Sequence, residues 1–408
     1  MVVHVLMLTT YPIKVPRHGG QIRAFNIKRM YEQNGYKVTL VSVREQDSYV
    51  NEYDTYYDIP FANGSCYRRF CGIDVPYITD LQSGEFIVKD KCAWNKMVSI
   101  CPAHVDVIHL EQPWLYEAAA RLKHEKYSNR PVLIYSSQNI ENELKKKILC
   151  FYSNPMKDQV IERILSLEKT CASEADLTIV VSSYDASVLR EYGAKKIILA
   201  LNGVEDRVVS HEVQLSVKSS LPKEPFALYI ASGHPPNATG FFSIFNNSLA
   251  FLPPDRKIVV LGGVCDLIRH SSQQRRWKEI NASRLSMWGG VTNKELDAIK
   301  SLAHVIVLPI TSGGGSNLKS AEALRSNSYV LGTTTSFRGF ESHSSLPGTY
   351  IKDDPIEFQC CLRDLLDASP FVDEELRKKS TEALVWKQCL KDVVIKVDEM
   401  VKKNVNMA

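Results

Sequence analysis

The feature that most constrains this chain is a repeated pattern. A short run of aliphatic and β-branched residues leads into a Gly/Pro-containing loop and then an amphipathic, charged stretch, and the series starts twice. The runs at 2–9, 37–43, 105–110, 132–135 and 177–181 show little polar alternation, so both of their faces must be buried. Strands hidden on both faces belong to parallel sheets, whose crossover connections cover the sheet with helices. The opening unit is complete in the sequence. Run 2–9 is followed by the turn-rich loop 10–20, a helical stretch over 21–33, and Asn34-Gly35 to stop that helix before the second run. Residues 141–148 and 157–169 read as further amphipathic helices. Between 47 and 93, tyrosines and polar residues break both periods, and no element is assigned there.

After Asn202-Gly203 and a polar stretch with Pro222 and Pro225 the plan begins again. A run at 226–230 meets the loop 231–237 and a helix from about residue 240, and further runs follow at 257–261, 284–288 and 304–308. At about 150 residues per domain, 408 residues make two or three domains. The expected fold class is therefore α/β, with two doubly wound Rossmann-like domains of parallel strands: an N-terminal domain over 1–205 and a C-terminal domain over 206–385. The segment 373–403 is helical by pattern.

The strongest chemical signal follows the run at 304–308. It reads Ser312-Gly-Gly-Gly-Ser-Asn-Leu-Lys-Ser-Ala-Glu-Ala-Leu324. Gly313, Gly314 and Gly315 let the backbone approach a ligand, and a helix beginning near Asn317 points its unpaired N–H groups and positive dipole end at that loop, where a phosphate fits. Lys319 adds a positive charge in the first turn, and Glu322, one turn on, is placed to accept two hydroxyl hydrogen bonds. That combination suits a sugar nucleotide; the bland alternative is a tight strand-to-helix turn with a solvated lysine. The stretch from Gly313 to Ser320 also approximates a G-x-x-x-x-G-K-[ST] loop, but Leu318 stands where its second glycine belongs, which argues against an ATPase.

Doubly wound folds bind ligands beyond the carboxyl ends of their strands, so three more loops are candidates. His18-Gly19-Gly20 is suited to close over a diphosphate, the alternative being a flexible loop. Ser232-Gly233-His234-Pro-Pro-Asn237 can aim a hydroxyl and an imidazole at phosphate oxygens, the alternative being a rigid Pro-Pro turn. Gln138 follows the 132–135 run and can hydrogen-bond a sugar without acting as a base. Glu141 and Glu143 read first as helix N-terminal charges, Lys145-Lys146-Lys147 as a solvated face, and His109 with Glu111 as equally fit for a site or for structure.

Charge and composition exclude more than they name. A formal net charge of +4 permits an anionic substrate or weak attraction to an acidic membrane, but falls short of a nucleic-acid binder's footprint. Ten cysteines without a C-x-x-C pair argue against a disulfide framework and a structural zinc, and point to a cytoplasmic protein. No apolar run reaches the roughly 20 residues that span a bilayer, so any membrane contact would be peripheral. There is no Asp-x-Asp, H-E-x-x-H, G-x-S-x-G or G-x-G-x-x-G, which removes the usual support for metal-bridged diphosphate, zinc-hydrolase, serine-hydrolase and dinucleotide chemistry.

Taken together, Thr9-Thr-Tyr-Pro through His18-Gly-Gly, Gln138-Asn-Ile-Glu, Val181-Ser-Ser, Asn202-Gly-Val, Ser232-Gly-His-Pro-Pro-Asn, Gly289-Gly-Val and Gly313-Gly-Gly-Ser-Asn-Leu-Lys-Ser-Ala-Glu-Ala-Leu resemble successive landmarks of retaining, family-4-type glycosyltransferases. The resemblance implies a GT-B fold, two Rossmann-like domains facing across a cleft, with the nucleotide sugar held mainly by the second and the acceptor by the first. It implies no cofactor and no metal, and a last helix, 386–408, that returns to the first domain. Glu322 matches the ribose-binding glutamate. Lys319 with the amides of Gly314, Gly315, Ser316 and Asn317 matches the donor-phosphate loop, and Gly19 and Gly20 match the first-domain glycines beside it. Trp288 and Gly289 lie where the base is contacted. Gly314 stands in place of a first glutamate eight positions before Glu322, Gln138 in place of a histidine, and His234 and Asn237 near the places of two cations. The expected activity is transfer of a sugar from a nucleoside diphosphate sugar to a hydroxyl of a glycan or lipid-linked acceptor, with retention, in surface glycan or lipopolysaccharide assembly. A sugar-nucleotide epimerase and a catalytically silent sugar-nucleotide-binding scaffold are the rival expectations.

Overall fold

Each assigned apolar run becomes a strand in the computed structural model, which describes residues 2–49, 54, 56–206, 209–246, 248–313, 316–371 and 373–407. Two compact units result, one formed by 1–201 with 389–408 and the other by 202–388.

The first unit holds a seven-stranded sheet of β1 (His4–Thr9), β2 (Lys37–Glu45), β3 (Asp58–Phe61), β4 (Val107–Glu111), β5 (Val132–Ser136), β6 (Leu177–Val180) and β7 (Ile197–Leu199), in the order β3-β2-β1-β4-β5-β6-β7. Every pairing is parallel, with Met7 opposite Leu40 on one side and His109 on the other. The chain runs outward from β1 to β3 and returns to β4, so the loops after β1 and β4 part from each other at a switch point. β4 and β5 are buried along their whole length, as runs without alternation require. The last helix, Lys391–Met407, belongs to this unit, where the Tyr36 hydroxyl donates to Asp398.

The second unit repeats the plan with six strands, β8 (Phe226–Ile230), β9 (Lys257–Leu261), β10 (Leu285–Gly289), β11 (Val305–Leu308), β12 (Tyr329–Gly332) and β13 (Thr349–Ile351), in the order β10-β9-β8-β11-β12-β13. All are parallel, and the switch point lies between β8 and β11. Its core clusters Tyr229, Phe241, Phe245, Val260, Val307 and Phe358.

The differences from the sequence reading have local causes. β3, β7, β12 and β13 span only three or four residues, and unlike the equally short but fully buried β6 and β11 they carry polar, Pro, Gly or partly exposed positions that break the apolar run. The helix after β8 begins at Pro235 rather than near 240, because proline lacks the N–H that a first helical position leaves unused. The helical stretch 373–403 is broken into Glu374–Ser380, a 3-10 turn at Glu382–Leu384, Trp386–Cys389 and Lys391–Met407. The unassigned region holds β3 and the helices Thr79–Lys89 and Lys91–Ile100, while residues 50–53 and 55 within it lie outside the described residues. All ten cysteines are free thiols. No helix among the described residues is long and apolar enough to cross a membrane, and none of them form a group of three or more His, Cys, Asp or Glu placed to hold a metal.

Candidate active site

At the switch point of the second sheet, the loops leaving β8 and β11 come together. The helix Pro235–Phe245 passes so close to the exit of β11 that a Cβ on Gly240 would lie 2.2 Å from the Pro309 carbonyl oxygen. Only glycine permits that approach, and it brings the two loops side by side. Across them, Lys319 Nζ donates to Asn237 Oδ1 at 3.1 Å, joining residues 82 positions apart. Asn237 is itself fixed, its Nδ2 donating to the Ser232 carbonyl at 2.9 Å and the Ser232 hydroxyl at 3.3 Å. Burial pushes the Lys319 amine down to about 8 against the attraction of Glu322. A lysine whose nearest partner is a neutral amide, in a place that disfavours its charge, is well suited to receive an anion.

The Leu318–Leu324 helix is capped by Asn317, whose Oδ1 accepts from the Lys319 N–H at 3.2 Å. With seven residues its dipole is short, so the Lys319 cation outweighs it as a source of positive charge. The Ser316 hydroxyl oxygen is buried with no hydrogen-bond partner among the described residues. Such orphans cost about 1–3 kcal/mol and persist where a ligand supplies the partner. Gly313 holds φ at +142°, and its carbonyl accepts from Arg338 Nη1 at 2.9 Å. Gly314 and Gly315, both expected in the phosphate loop, lie outside the described residues.

Glu322 keeps about a third of its side chain exposed, at 37 %, and one carboxylate oxygen lies 3.4 Å from Lys300 Nζ. Lys300 also pairs with Asp297 at 2.8 Å, so the carboxylate is oriented from one side while the other oxygen is open to accept. His234 is the exposed N-cap of the Pro235 helix and makes no capping bond with its side chain. Trp288 and Gly289 end β10, the edge strand separated from β8 by β9. The indole N–H of Trp288 is spent on the Ser286 hydroxyl at 2.9 Å, which leaves the ring face for contact.

The first unit builds a second constellation at its own switch point. Gly19 and Gly20 open the first helix, Gly19–Gln33, with His18 as its cap. A Cβ on Gly20 would lie 2.6 Å from Gln138 Oε1 and 3.1 Å from the Tyr11 hydroxyl. Gln138 Nε2 donates to Glu111 Oε2 at 2.7 Å and to the Tyr11 oxygen at 2.8 Å. Glu111 in turn pairs with His109 at 3.0 Å, and His109 meets the Tyr31 hydroxyl at 3.1 Å. The amide of Gln138 is thereby fixed with its N–H groups spent and its oxygen beside the helix start. Next to it Gln112 takes a strained φ of +66° and donates to Glu141 at 2.9 Å, while its own oxygen is buried with no partner among the described residues. Burial, partly offset by Lys145, pushes Glu141 up to about 7. Glu143 accepts from the exposed Tyr184 hydroxyl and plays no part in this cluster.

Sequence reading weighs the Ser316–Lys319 loop, the Ser232–Asn237 loop, Gly20 and Gln138 as separate candidates; the structure joins Lys319 to Asn237 and Ser232 and sets Gly20 beside Gln138. Sequence reading misses Arg338 and Lys300, which reach the first group from a loop and a helix with no motif of their own, and it leaves Glu111 undecided.

No family model and no curated protein matches the chain. Solved structures do. A sucrose-phosphate synthase from Thermosynechococcus elongatus is 15% identical over 98% of this chain and 100% of that one, with a TM-score of 0.71. The Anabaena protein HepE, in complex with UDP and glucose, is 12% identical over 97% of this chain and 100% of that one, at 0.65. WaaG, a glycosyltransferase involved in lipopolysaccharide biosynthesis, is 10% identical over 97% and 99%, at 0.62. The fold is of the GT-B type. In GT-B terms the Lys319 group lies at the carboxyl edge of the second Rossmann-like unit and the Gln138 group at that of the first.

Proposed function

We propose that the chain is a glycosyltransferase that moves a sugar from a nucleoside diphosphate sugar to a hydroxyl of a glycan or lipid-linked acceptor. The observation that carries this reading is the Lys319–Asn237 contact, which gathers a half-buried amine, the orphan Ser316 hydroxyl and the open oxygen of Glu322 at one switch point. A diphosphate matches the first two and a ribose diol matches the third. The likeness to HepE, captured with UDP and glucose, supports a nucleotide sugar as the ligand class.

On this reading the protein's residues act by position and charge. As the glycosidic bond lengthens, the leaving diphosphate gains charge, and Lys319 stabilises it more in the transition state than before. Glu322, steadied by Lys300, holds the ribose, and Trp288 offers a face to the base. Gln138, locked by Glu111 and Tyr11, presents its amide oxygen to a sugar hydroxyl. Lys319 supplies the charge neutralisation without a metal, and the sugar is transferred with retention. Surface glycan or lipopolysaccharide assembly is the expected setting, supported by the likeness to WaaG.

The test is a binding screen of nucleoside diphosphates and their sugars by thermal shift, with and without chelator, followed by product analysis with acceptors. Ligand at a hundredfold over Kd adds about 2.7 kcal/mol to stability. A selective shift that survives chelation, then transfer to an acceptor, is the expected result. Release of an epimerised sugar nucleotide without acceptor identifies an epimerase instead. Binding without turnover identifies a scaffold, and no shift with any nucleotide overturns the reading.

A further inference from the structure

The second unit carries a cavity of about 320 Å³ away from the Lys319 group, lined by Asp206, Arg325, Lys378, Lys379, Glu382 and Lys387 among others. We propose that this cavity is a binding site for a phosphorylated small molecule of sugar size, distinct from the nucleotide site.

The charge pattern sets the ligand class. Arg325 is paired with Asp206 at 2.8 Å, and among the described residues the other lining charges are three lysines against the carboxylate of Glu382. Neither Lys379 nor Lys387 has an ion-pair partner among the described residues. Arg325 is the built part of the site. Its side chain is only 13% exposed, and its Nη1 donates to the Thr381 carbonyl at 3.3 Å and the Lys378 carbonyl at 3.4 Å, which fixes the plane of the fork. Asp206, by contrast, is 69% exposed, so its hold on Nη2 is a solvent-screened contact that a stronger anion displaces. A phosphate monoester carries nearly two charges and three acceptor oxygens at neutral pH and matches a fixed guanidinium flanked by lysines. The volume stands at the lower end of small-molecule sites, which suits a monosaccharide phosphate. Among the described residues Val385 is the one apolar side chain of the lining, which gives an apolar ligand little to contact.

Arg325 caps the carboxyl end of the Leu318–Leu324 helix, whose other end carries Asn317 and Lys319. Seven residues at about 1.5 Å rise separate the two ends by roughly 10 Å. The two anion sites are therefore separable, and the inference stands without the transferase reading.

The test is isothermal titration calorimetry of the full chain with a hexose monophosphate, inorganic phosphate and the uncharged hexose at constant ionic strength. Three proteins are compared: the parent, the double variant Lys379→Glu with Lys387→Glu, and Lys319→Ala. Both lysines of the double variant are exposed, so its fold is retained, and circular dichroism verifies this. The expected result is saturable one-to-one binding of the hexose phosphate, at least tenfold weaker in the double variant and unchanged in Lys319→Ala. Binding lost in Lys319→Ala but kept in the double variant places the anion in the nucleotide loop and overturns the proposal. So does equal affinity for inorganic phosphate and the hexose phosphate, or the absence of saturable binding.

Discussion

Replacing Gly20 with alanine inserts a methyl group 2.6 Å from Gln138 Oε1, closer than real Cβ contacts allow. A free glutamine end would swing away at little cost, but this one is held by Glu111 at 2.7 Å and Tyr11 at 2.8 Å. Moving it gives up a hydrogen bond to a buried carboxylate, worth about 1.5–3 kcal/mol. Against that, alanine stabilises an early helical position by about 0.5–1 kcal/mol over glycine. The net expectation is a loss of about 1–2 kcal/mol in the first unit. A chain of two units does not unfold in one step, so the assay is hydrogen exchange of the Gly19–Gln33 amides against urea. The same substitution is then made in a Gln138→Ala background, where no amide is left to clash. There it should be neutral or stabilising by up to about 1 kcal/mol, a coupling of about 2 kcal/mol between the two positions. Equal effects in both backgrounds refute the reasoning, because the cost would then come from the backbone or from Tyr11.

Three further outcomes are expected. Lys319→Ala should lower turnover by about 10²–10³-fold with circular dichroism unchanged, the usual effect of removing one donor to developing charge; near-normal turnover removes Lys319 from the site. Because burial holds this amine near 8, the cation that binds phosphate is present below that pH and is lost above it. Nucleoside diphosphate affinity measured by calorimetry should therefore fall as pH rises from 7 to 9, and a flat profile contradicts the assignment. Glu322→Ala should weaken a nucleoside diphosphate about tenfold or more while leaving inorganic pyrophosphate nearly unchanged, and equal losses for both would deny it the ribose.

Legibility followed length and spacing. β1, β4 and β5 announce themselves because short, mainly aliphatic stretches without polar alternation, each set against a turn-rich loop, fit a strand buried on both faces. β13 escapes notice because three residues with half-exposed faces carry no period. The Gly313–Lys319 motif was visible because its residues are contiguous and each is unusual in a strand-to-helix turn. Arg338 and Lys300 were not, since a solitary cation looks the same whether it faces water or straps a loop.

The two parallel sheets, their repeated plan and the loops at the carboxyl ends of β8 and β11 follow from the order of amino acids alone, since backbone sterics and hydrophobic period act over a few neighbouring residues. So does the glycine-rich loop that bears a lysine and a glutamate one turn apart. Long-range packing is what sets Lys319 on Asn237, turns Glu322 toward Lys300 and locks Gln138 against Glu111. Those contacts join residues 82, 22 and 27 positions apart, and their geometry is set by strand order and by close approaches such as that of Gly240 to Pro309. Local sequence cannot encode such distances, because they depend on how every intervening element packs.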